Sequence, residues 1–190
     1  MAHTQVVYIT GAASGVGLEL AKRYASKGFS LALFDMSKSQ AGLDSVNHRL
    51  VSSDQRVEFY SVDVTDADGM SDLILKASTE VGLPSIAINC AGIVLAKPFE
   101  QTSKEEYEKV VQVNLFGSRN FAHSVIPLLK LSQLSASKFS ASTKQENIPA
   151  QARLVLIASM AGIAGNFGYS AYCSSKFAVV GLAEALRIEL

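Results

Sequence analysis

An α/β fold, with a parallel sheet doubly wound by helices on both faces, is what this chain predicts, and three observations predict it. Short apolar runs rich in β-branched and aromatic residues recur along it. Longer amphipathic stretches separate them, and the first run leads through a glycine-rich turn directly into the first helix. Buried parallel strands read as continuous apolar runs, and strands alternating with helices build right-handed βαβ units.

The elements follow in order. Residues 5–10 (QVVYIT) read as the first strand. Residues 16–26 read as a helix with Leu18, Ala21 and Ala25 on one side, stopped by Gly28. A second strand at 30–34 precedes a helix at 41–51, and a third strand at 57–62 precedes a helix at 67–81 that Gly82-Leu83-Pro84 ends. The fourth strand is expected at 85–89, one long helix over 104–129, the fifth strand at 154–158, and a last helix around Tyr172. Residues 131–152 hold Ser132, Ser135, Ser137, Ser140, Ser142, Thr143, Asn147 and Pro149, and read as a long surface loop. Ser135-x-x-Lys138 has the spacing of a serine nucleophile beside a lysine base. The partner motifs of such hydrolases are missing, so coincidence in a serine-rich loop is the reading. There is no repeat and no linker, so 1–190 reads as one domain.

Composition excludes several function classes. Of 190 residues, 48% are hydrophobic, and 17 basic side chains balance 17 acidic ones. A neutral chain with scattered lysines and arginines has no field to attract phosphate backbones, so no nucleic-acid partner is expected. The apolar stretch 85–96 is interrupted by Asn89 and falls short of the roughly 20 residues of a membrane span. The amino terminus has no basic-then-apolar leader, which points to a cytoplasmic protein. Cys90 and Cys173 show no CxxC spacing, so neither disulfide nor metal is expected and both read as reduced, packed thiols.

Chemistry concentrates at the carboxyl ends of the strands, the edge where open parallel sheets bind ligands. Thr10-Gly11-Ala12-Ala13-Ser14-Gly15-Val16-Gly17 joins the first strand to the first helix. Glycines there let backbone N–H groups approach a pyrophosphate at the positive helix end, which favours dinucleotide binding over a plain tight turn. Asp35, 18 residues after Gly17, stands where an acidic residue meets the adenosine ribose. Its charge would repel a 2′-phosphate, so NAD is preferred and NADP disfavoured, although Lys38 is close enough in sequence to reach a phosphate. The rival reading of Asp35 is a cap on the following helix. Asp63-Val64 and Asn89-Cys90-Ala91-Gly92 follow the third and fourth strands. Asp63 would accept from an adenine amino group; each segment reads equally as a strand-ending turn. Tyr172 and Lys176, four apart, share a helix face, and Ser159 follows the fifth strand. A phenol, with an ordinary pKa near 10, exchanges protons at neutral pH only if a cation stabilises its phenolate. Lys176 is placed to be that cation, and the Ser159 hydroxyl to hold the reacting oxygen. A lone YxxxK would be a surface tyrosine beside a helical neighbour; the dinucleotide turn and the upstream serine reverse that reading.

Taken together, TGAASGVG at 10–17, NCAG at 89–92, a helix containing Asn114, Ser159 and YCSSK at 172–176 resemble the short-chain dehydrogenase/reductase family, compact oxidoreductase branch. The resemblance covers almost the whole chain and implies a Rossmann-type sheet, here expected to lack the last strands of the family fold. It implies hydride transfer between a nicotinamide and a secondary alcohol or ketone. Tyr172 would be acid and base, Lys176 would lower its pKa and hold the nicotinamide ribose, and Ser159 would bind the reacting oxygen. Asn114 fits the fourth catalytic position, holding water in a proton relay to the lysine. Gly11, Ser14, Val16, Asp35, Asp63, Val64 and Asn89 become cofactor contacts, and homodimers or homotetramers built through the two longest helices are implied. Residues 159–190 are similar to reductases of 3-ketosphinganine, which favour NADPH and carry an arginine pattern where this chain has Asp35-Met36-Ser37. The apolar residues Ile163, Ala164, Phe167 and Tyr169 suit a hydrophobic substrate or, equally, core and interface packing. The rival class is a catalytically silent nucleotide-binding regulator or scaffold.

Overall fold

The computed structural model describes residues 5–143 and 151–190. Five strands, β1 (Val6–Thr10), β2 (Ser30–Asp35), β3 (Val57–Ser61), β4 (Ile86–Asn89) and β5 (Arg153–Leu156), form one sheet in the order β3-β2-β1-β4-β5, with every neighbouring pair parallel. Helices α1 (Gly15–Ala25), α2 (Gln40–Asn47) and α3 (Ala67–Glu80) connect the first four strands. Between β4 and β5 run α4 (Lys104–Val111), a π-helical segment Gln112–Phe116, and α5 (Gly117–Thr143); α6 (Ser170–Glu189) follows β5. The doubly wound parallel sheet is the predicted one.

Both faces of the central strands β1, β2 and β4 are dry, which is why they show no polar alternation, whereas the edge strands β3 and β5 keep exposed positions such as Glu58 and Arg153. Along β1 every residue is buried. Val6 and Tyr8 join Phe34, Met70, Ile74, Phe121 and Val125 under α3 and α5, while Val7 and Ile9 join Ala21, Ala25, Leu31 and Val46 under α1 and α2. From β1 the chain builds outward through β2 to β3, then returns to place β4 on the other side of β1. That reversal opens a crevice at the carboxyl ends of β1 and β4. In register, Thr10 stands beside Phe34 and Asn89, Asp35 beside Ser61, and Asn89 beside Leu156, so the predicted site residues share one edge.

Two expectations are corrected. The single helix over 104–129 is interrupted by the π segment, in which Asn114 is buried. The surface loop expected over 131–152 is helix through Thr143, because α5 continues. The hydroxyls of Ser135 and Ser137 donate to the carbonyls of Leu131 and Gln133, one turn back, each at 2.9 Å. Serines that satisfy themselves on the helix backbone are compatible with it despite their low propensity. Asn147 and Pro149 lie outside the described residues.

Candidate active site

The turn after β1 is shaped by two close approaches. Gly11 has φ +64°, and a Cβ there would meet Ala91 N at 2.8 Å, so the end of β4 presses against it. A Cβ on Gly17 would collide with the Gly11 carbonyl oxygen, which lets α1 begin directly over the turn. Ser14 caps α1 in extended conformation without spending its hydroxyl on the helix. The N–H groups of the first helical turn have no intrahelical carbonyl, so they and the helix dipole are free for an anion. Ser14 is exposed and Val16 is 60% exposed beside them. Nothing stands within 4 Å of where a Cβ on Gly15 would be, so the space over the turn is open. Small residues, uncommitted N–H groups and open space fit a dinucleotide pyrophosphate.

Asp35 braces this turn. Its Oδ2 accepts from Ala13 N at 3.0 Å and its Oδ1 from Ser37 N at 3.3 Å. The rival reading of Asp35 as a helix cap is overturned: Ser39 caps α2, its hydroxyl accepting from Gly42 N at 3.1 Å. Asp63 is exposed past β3, and its Oδ1 accepts from Thr65 N and Oγ1 at 2.9 and 2.8 Å. The Val64 side chain is turned into the core, where a Cβ on Gly117 would strike it, and the Val64 carbonyl accepts from Asn120 Nδ2 at 3.1 Å. Asn89 is also turned inward: Oδ1 accepts from Thr10 Oγ1 at 2.7 Å, and Nδ2 donates to Ser118 Oγ at 2.8 Å.

On the other side of the crevice, α6 brings Tyr172 and Lys176 together. Lys176 is 6% exposed; its Nζ donates to the Ile157 carbonyl at 2.8 Å and lies 5.8 Å from the centre of the Tyr172 ring. Burial holds this ammonium below its ordinary pKa, the neighbouring Cys90 acting in the opposite sense. Burial likewise pushes the Cys90 thiol up to about 11, with Lys176 opposing. Ser159 is two residues beyond Ile157 and caps the 3₁₀ turn Met160–Gly162, its Oγ accepting from Ala161 N at 3.2 Å. That turn packs on α6 so closely that a Cβ on Gly162 would lie 2.8 Å from the Lys176 carbonyl oxygen. The fold therefore brings Ser159 to the helix of Tyr172 and Lys176.

Asn114 enters from the π segment with no exposed surface. Its Oδ1 accepts from Ile93 N at 2.8 Å, and its Nδ2 donates to Ile93 O and to Ser175 Oγ, both at 2.9 Å. A Cβ on Gly92 would stand 3.1 Å from Asn114 Oδ1 and 3.6 Å from Lys176 Nζ, so the two groups border the same small space. Sequence reasoning missed Thr10, Ser118 and Ser175, all buried and all bonded to predicted site residues. The available signals were a serine one helical turn after Asn114 and the serine inside YCSSK. Among the described residues no group of three His, Cys, Asp or Glu side chains could hold a metal ion, and no helix is long and apolar enough to cross a membrane.

Comparison with known proteins gives a consistent result. A sequence model described as short chain dehydrogenase matches residues 5–190. The chain is 31% identical over 188 residues to a 3-ketodihydrosphingosine reductase of Mus musculus, covering 97% of this chain and 51% of that protein. It is 28% identical over 187 residues to an L-2,3-butanediol dehydrogenase of Corynebacterium glutamicum, covering 98% and 66%. The crystal structure of a levodione reductase superposes with a TM-score of 0.78 at 27% identity, covering 97% of this chain and 66% of that one. The chain thus spans about half the length of the first of these relatives and about two thirds of the others.

Proposed function

The chain belongs to the short-chain dehydrogenase family, and from that premise we propose that it is a nicotinamide-dependent oxidoreductase interconverting a secondary alcohol and a ketone. Ser159, Tyr172, Lys176 and Asn114 form its catalytic set. The observation that carries this reading is the buried Lys176 ammonium, anchored on Ile157 O and held beside the Tyr172 ring. Lys176 stands where its charge would stabilise the negative charge that develops on the Tyr172 oxygen as the phenol exchanges a proton with substrate.

In this reading Ser159 Oγ, which accepts from Ala161 N, has its own proton free for the reacting oxygen of the substrate. Tyr172 gives that oxygen its hydroxyl proton in reduction and takes it back in oxidation, while Lys176 stabilises the phenolate and holds the ribose hydroxyls. Asn114 steadies the space beside Lys176 and the water that returns its proton. The bound nicotinamide supplies or accepts the hydride. Gly11, Ser14 and Val16 hold the pyrophosphate end, Asp35 the adenosine ribose, and Asp63 and Val64 the adenine. Asn89 keeps the two strand ends beneath together. Asp35, already oriented by two backbone N–H groups, accepts ribose hydroxyls and repels a 2′-phosphate, so the cofactor is NAD in preference to NADP.

A hydrophobic alcohol or ketone suits the mouth of the site. Segment 93–98 is tied to segment 163–169 by Lys97 N donating to Gly168 O at 2.7 Å, and Val94, Ile163 and Phe167 stand exposed on them. The one charge there, Lys97, is paired with Glu106 at 2.8 Å. The likeness to sphingosine-pathway reductases supports a second reading, a long-chain lipid ketone reduced with NADPH. Homodimers or homotetramers would form through α5 and α6, where Leu131, Leu134, Phe177 and Ile188 are exposed, and the protein would work in the cytoplasm; sedimentation and cell fractionation test these two points.

Parallel fluorescence titrations with NADH and NADPH, followed by a panel of apolar alcohols and ketones, test the reading. NADH is expected to bind at least roughly tenfold tighter, about 1.4 kcal/mol. Tyr172→Phe is expected to keep that binding and lose about a thousandfold or more in turnover. Preference for NADPH would remove the Asp35 argument and favour the lipid reading. Binding without turnover across the panel would leave the silent-regulator class.

A further inference from the structure

We infer that Ser118 is a positioning residue of this site: its hydroxyl fixes the main-chain carbonyl of Asn114 and ties it to the strand ends beneath the cofactor turn. The inference rests on the oxidoreductase reading for its functional meaning, and on hydrogen-bond geometry for its content. Five side chains, each at most 2% exposed, make a continuous chain through the molecule: Thr10, Asn89, Ser118, Asn114 and Ser175. Ala91 N donates to Thr10 Oγ1 at 3.1 Å, and Thr10 Oγ1 donates to Asn89 Oδ1. Asn89 Nδ2 donates to Ser118 Oγ, and Ser118 Oγ donates to Asn114 O at 2.5 Å. Asn114 Nδ2 continues to Ser175 Oγ, which donates to the carbonyl of Tyr172 at 2.7 Å.

Proton counting fixes the direction of this chain. A hydroxyl has one proton to give. A backbone N–H only donates, so the Thr10 proton is directed to Asn89 Oδ1. The Asn89 amide then presents its N–H to Ser118, whose proton is free for Asn114 O. Turning the Asn89 amide over would aim Oδ1 at Ser118, draw away that proton and strip Asn114 O of its donor. The carbonyl belongs to the π segment, where bonds span five residues and the backbone is not held by regular helical pairing. Other serines of α5 also bond back one turn: Ser124 to Asn120, Ser135 to Leu131 and Ser137 to Gln133. Among the described residues of this helix, Ser118 is the serine that also accepts from a buried side chain of the sheet. Ser118 thus holds Asn114 by its backbone, as Ile93 and Ser175 hold it by its amide.

The test compares Ser118→Ala, Ser118→Cys and Ser118→Thr with Ser137→Ala, an exposed serine making the same backbone bond. Cysteine fills the volume but donates weakly, whereas threonine keeps the donor. Three readouts are taken: amide hydrogen exchange of residues 110–120, NADH affinity from about pH 6 to about pH 10, and kcat against KM. The pH profile reads Lys176, which faces the Cys90 thiol just past the end of β4, the Asn114 amide oxygen from the π segment and Tyr172 on its own helix. In Ser118→Ala and Ser118→Cys, exchange over 110–120 is expected to quicken about tenfold, with kcat falling about tenfold and KM nearly unchanged. The pH profile should move, and NADH affinity at neutral pH should stay within about threefold. Ser118→Thr should restore all of these, and Ser137→Ala should change none. If Ser118→Ala does not fold, the cysteine and threonine variants decide. Wild-type exchange and pH profile in a folded Ser118→Cys would overturn the inference, as would equal loosening in Ser137→Ala. A wild-type chain with no turnover, but with the exchange differences present, would sink the oxidoreductase reading and leave the role of Ser118 standing.

Discussion

Two helical runs border the candidate site and reach it by different means. Regular through 20 residues, α6 delivers Tyr172 and Lys176 from consecutive turns of one face, so their chemistry is written in a spacing of four. The run from α4 through α5 is broken by the π segment and delivers Asn114 as a buried amide clamped by Ile93 and Ser175, with its carbonyl clamped by Ser118. A regular helix presents side chains for work at its surface. A bulge supplies a fixed internal strut, whose amide partners Ile93 and Ser175 come from other elements and leave no local spacing to read.

The largest expected effect tests that division directly. Asn114→Ala removes three side-chain hydrogen bonds at a fully buried position and leaves Ile93 N, Ile93 O and Ser175 Oγ short of partners. It should destabilise the fold by about 3 kcal/mol, since each buried group left unpaired costs roughly 1–3 kcal/mol before relaxation. Tyr172→Phe, half-buried on α6, should leave the urea midpoint nearly unmoved while removing turnover. Equal stability losses in the two variants would break the comparison.

Lys176 sharpens it from the α6 side. Burial lowers the folded-state pKa of this lysine below its unfolded value, so holding the ammonium penalises folding at neutral pH. The penalty fades as pH rises through the lowered folded value towards the ordinary lysine range, because the unfolded chain then binds more protons than the folded one. Lys176→Met should therefore gain about 1 kcal/mol at neutral pH, part of the relief being offset by the lost bond to Ile157 O. That gain should shrink in alkaline solution, as followed by urea melts at several pH values. A gain that grows with pH would contradict the burial argument. Turnover should be lost at every pH, which marks Lys176 as a residue kept for work at a cost in stability.

The same contrast explains what was legible in the sequence. The strands fall within two residues of their expected ends, because a buried parallel strand announces itself locally by an unbroken apolar run, as VVYIT does. The glycine turn, Asp35 at the end of β2, and Tyr172 with Lys176 lie at the sheet edge and helix face their spacing implied. Ser118, one turn after Asn114, and Ser175, inside YCSSK, left only weak signals and Thr10 left none, since a small hydroxyl residue becomes informative only when its buried partner is known. The tail of α5 was misjudged for a related reason. Serine composition argues for a loop, whereas Ser135 and Ser137 spend their hydroxyls on the helix that carries them. Buried Gln55 belongs to the same class: its side chain accepts from Val51 N and Ser52 N and donates to Ala25 O and Phe29 O, locking β3 to the end of α1 without any motif.

The smallest expected effects concern how the two runs begin, and they differ in sign. A capping box opens α4: Ser103 Oγ accepts from Glu106 N at 3.2 Å, and Glu106 Oε2 accepts from Ser103 N at 2.9 Å. At the start of α6, Tyr169 makes no side-chain cap, and the adjacent Ser170 hydroxyl is buried with no partner among the described residues. Ser103→Ala should destabilise by about 1 kcal/mol, the usual worth of an N-cap serine. Ser170→Ala removes a desolvated hydroxyl that earns no bond, so it should stabilise by about 0.5 kcal/mol. Thermal melts of the two variants read both signs, and their double mutant reads any coupling carried by the Lys97 link from Glu106 to Gly168. A destabilised Ser170→Ala would mean that its hydroxyl has a partner in solution. The start of α6 would then be as deliberately sealed as that of α4, and the contrast between the two runs would be confined to the bulge that holds Asn114.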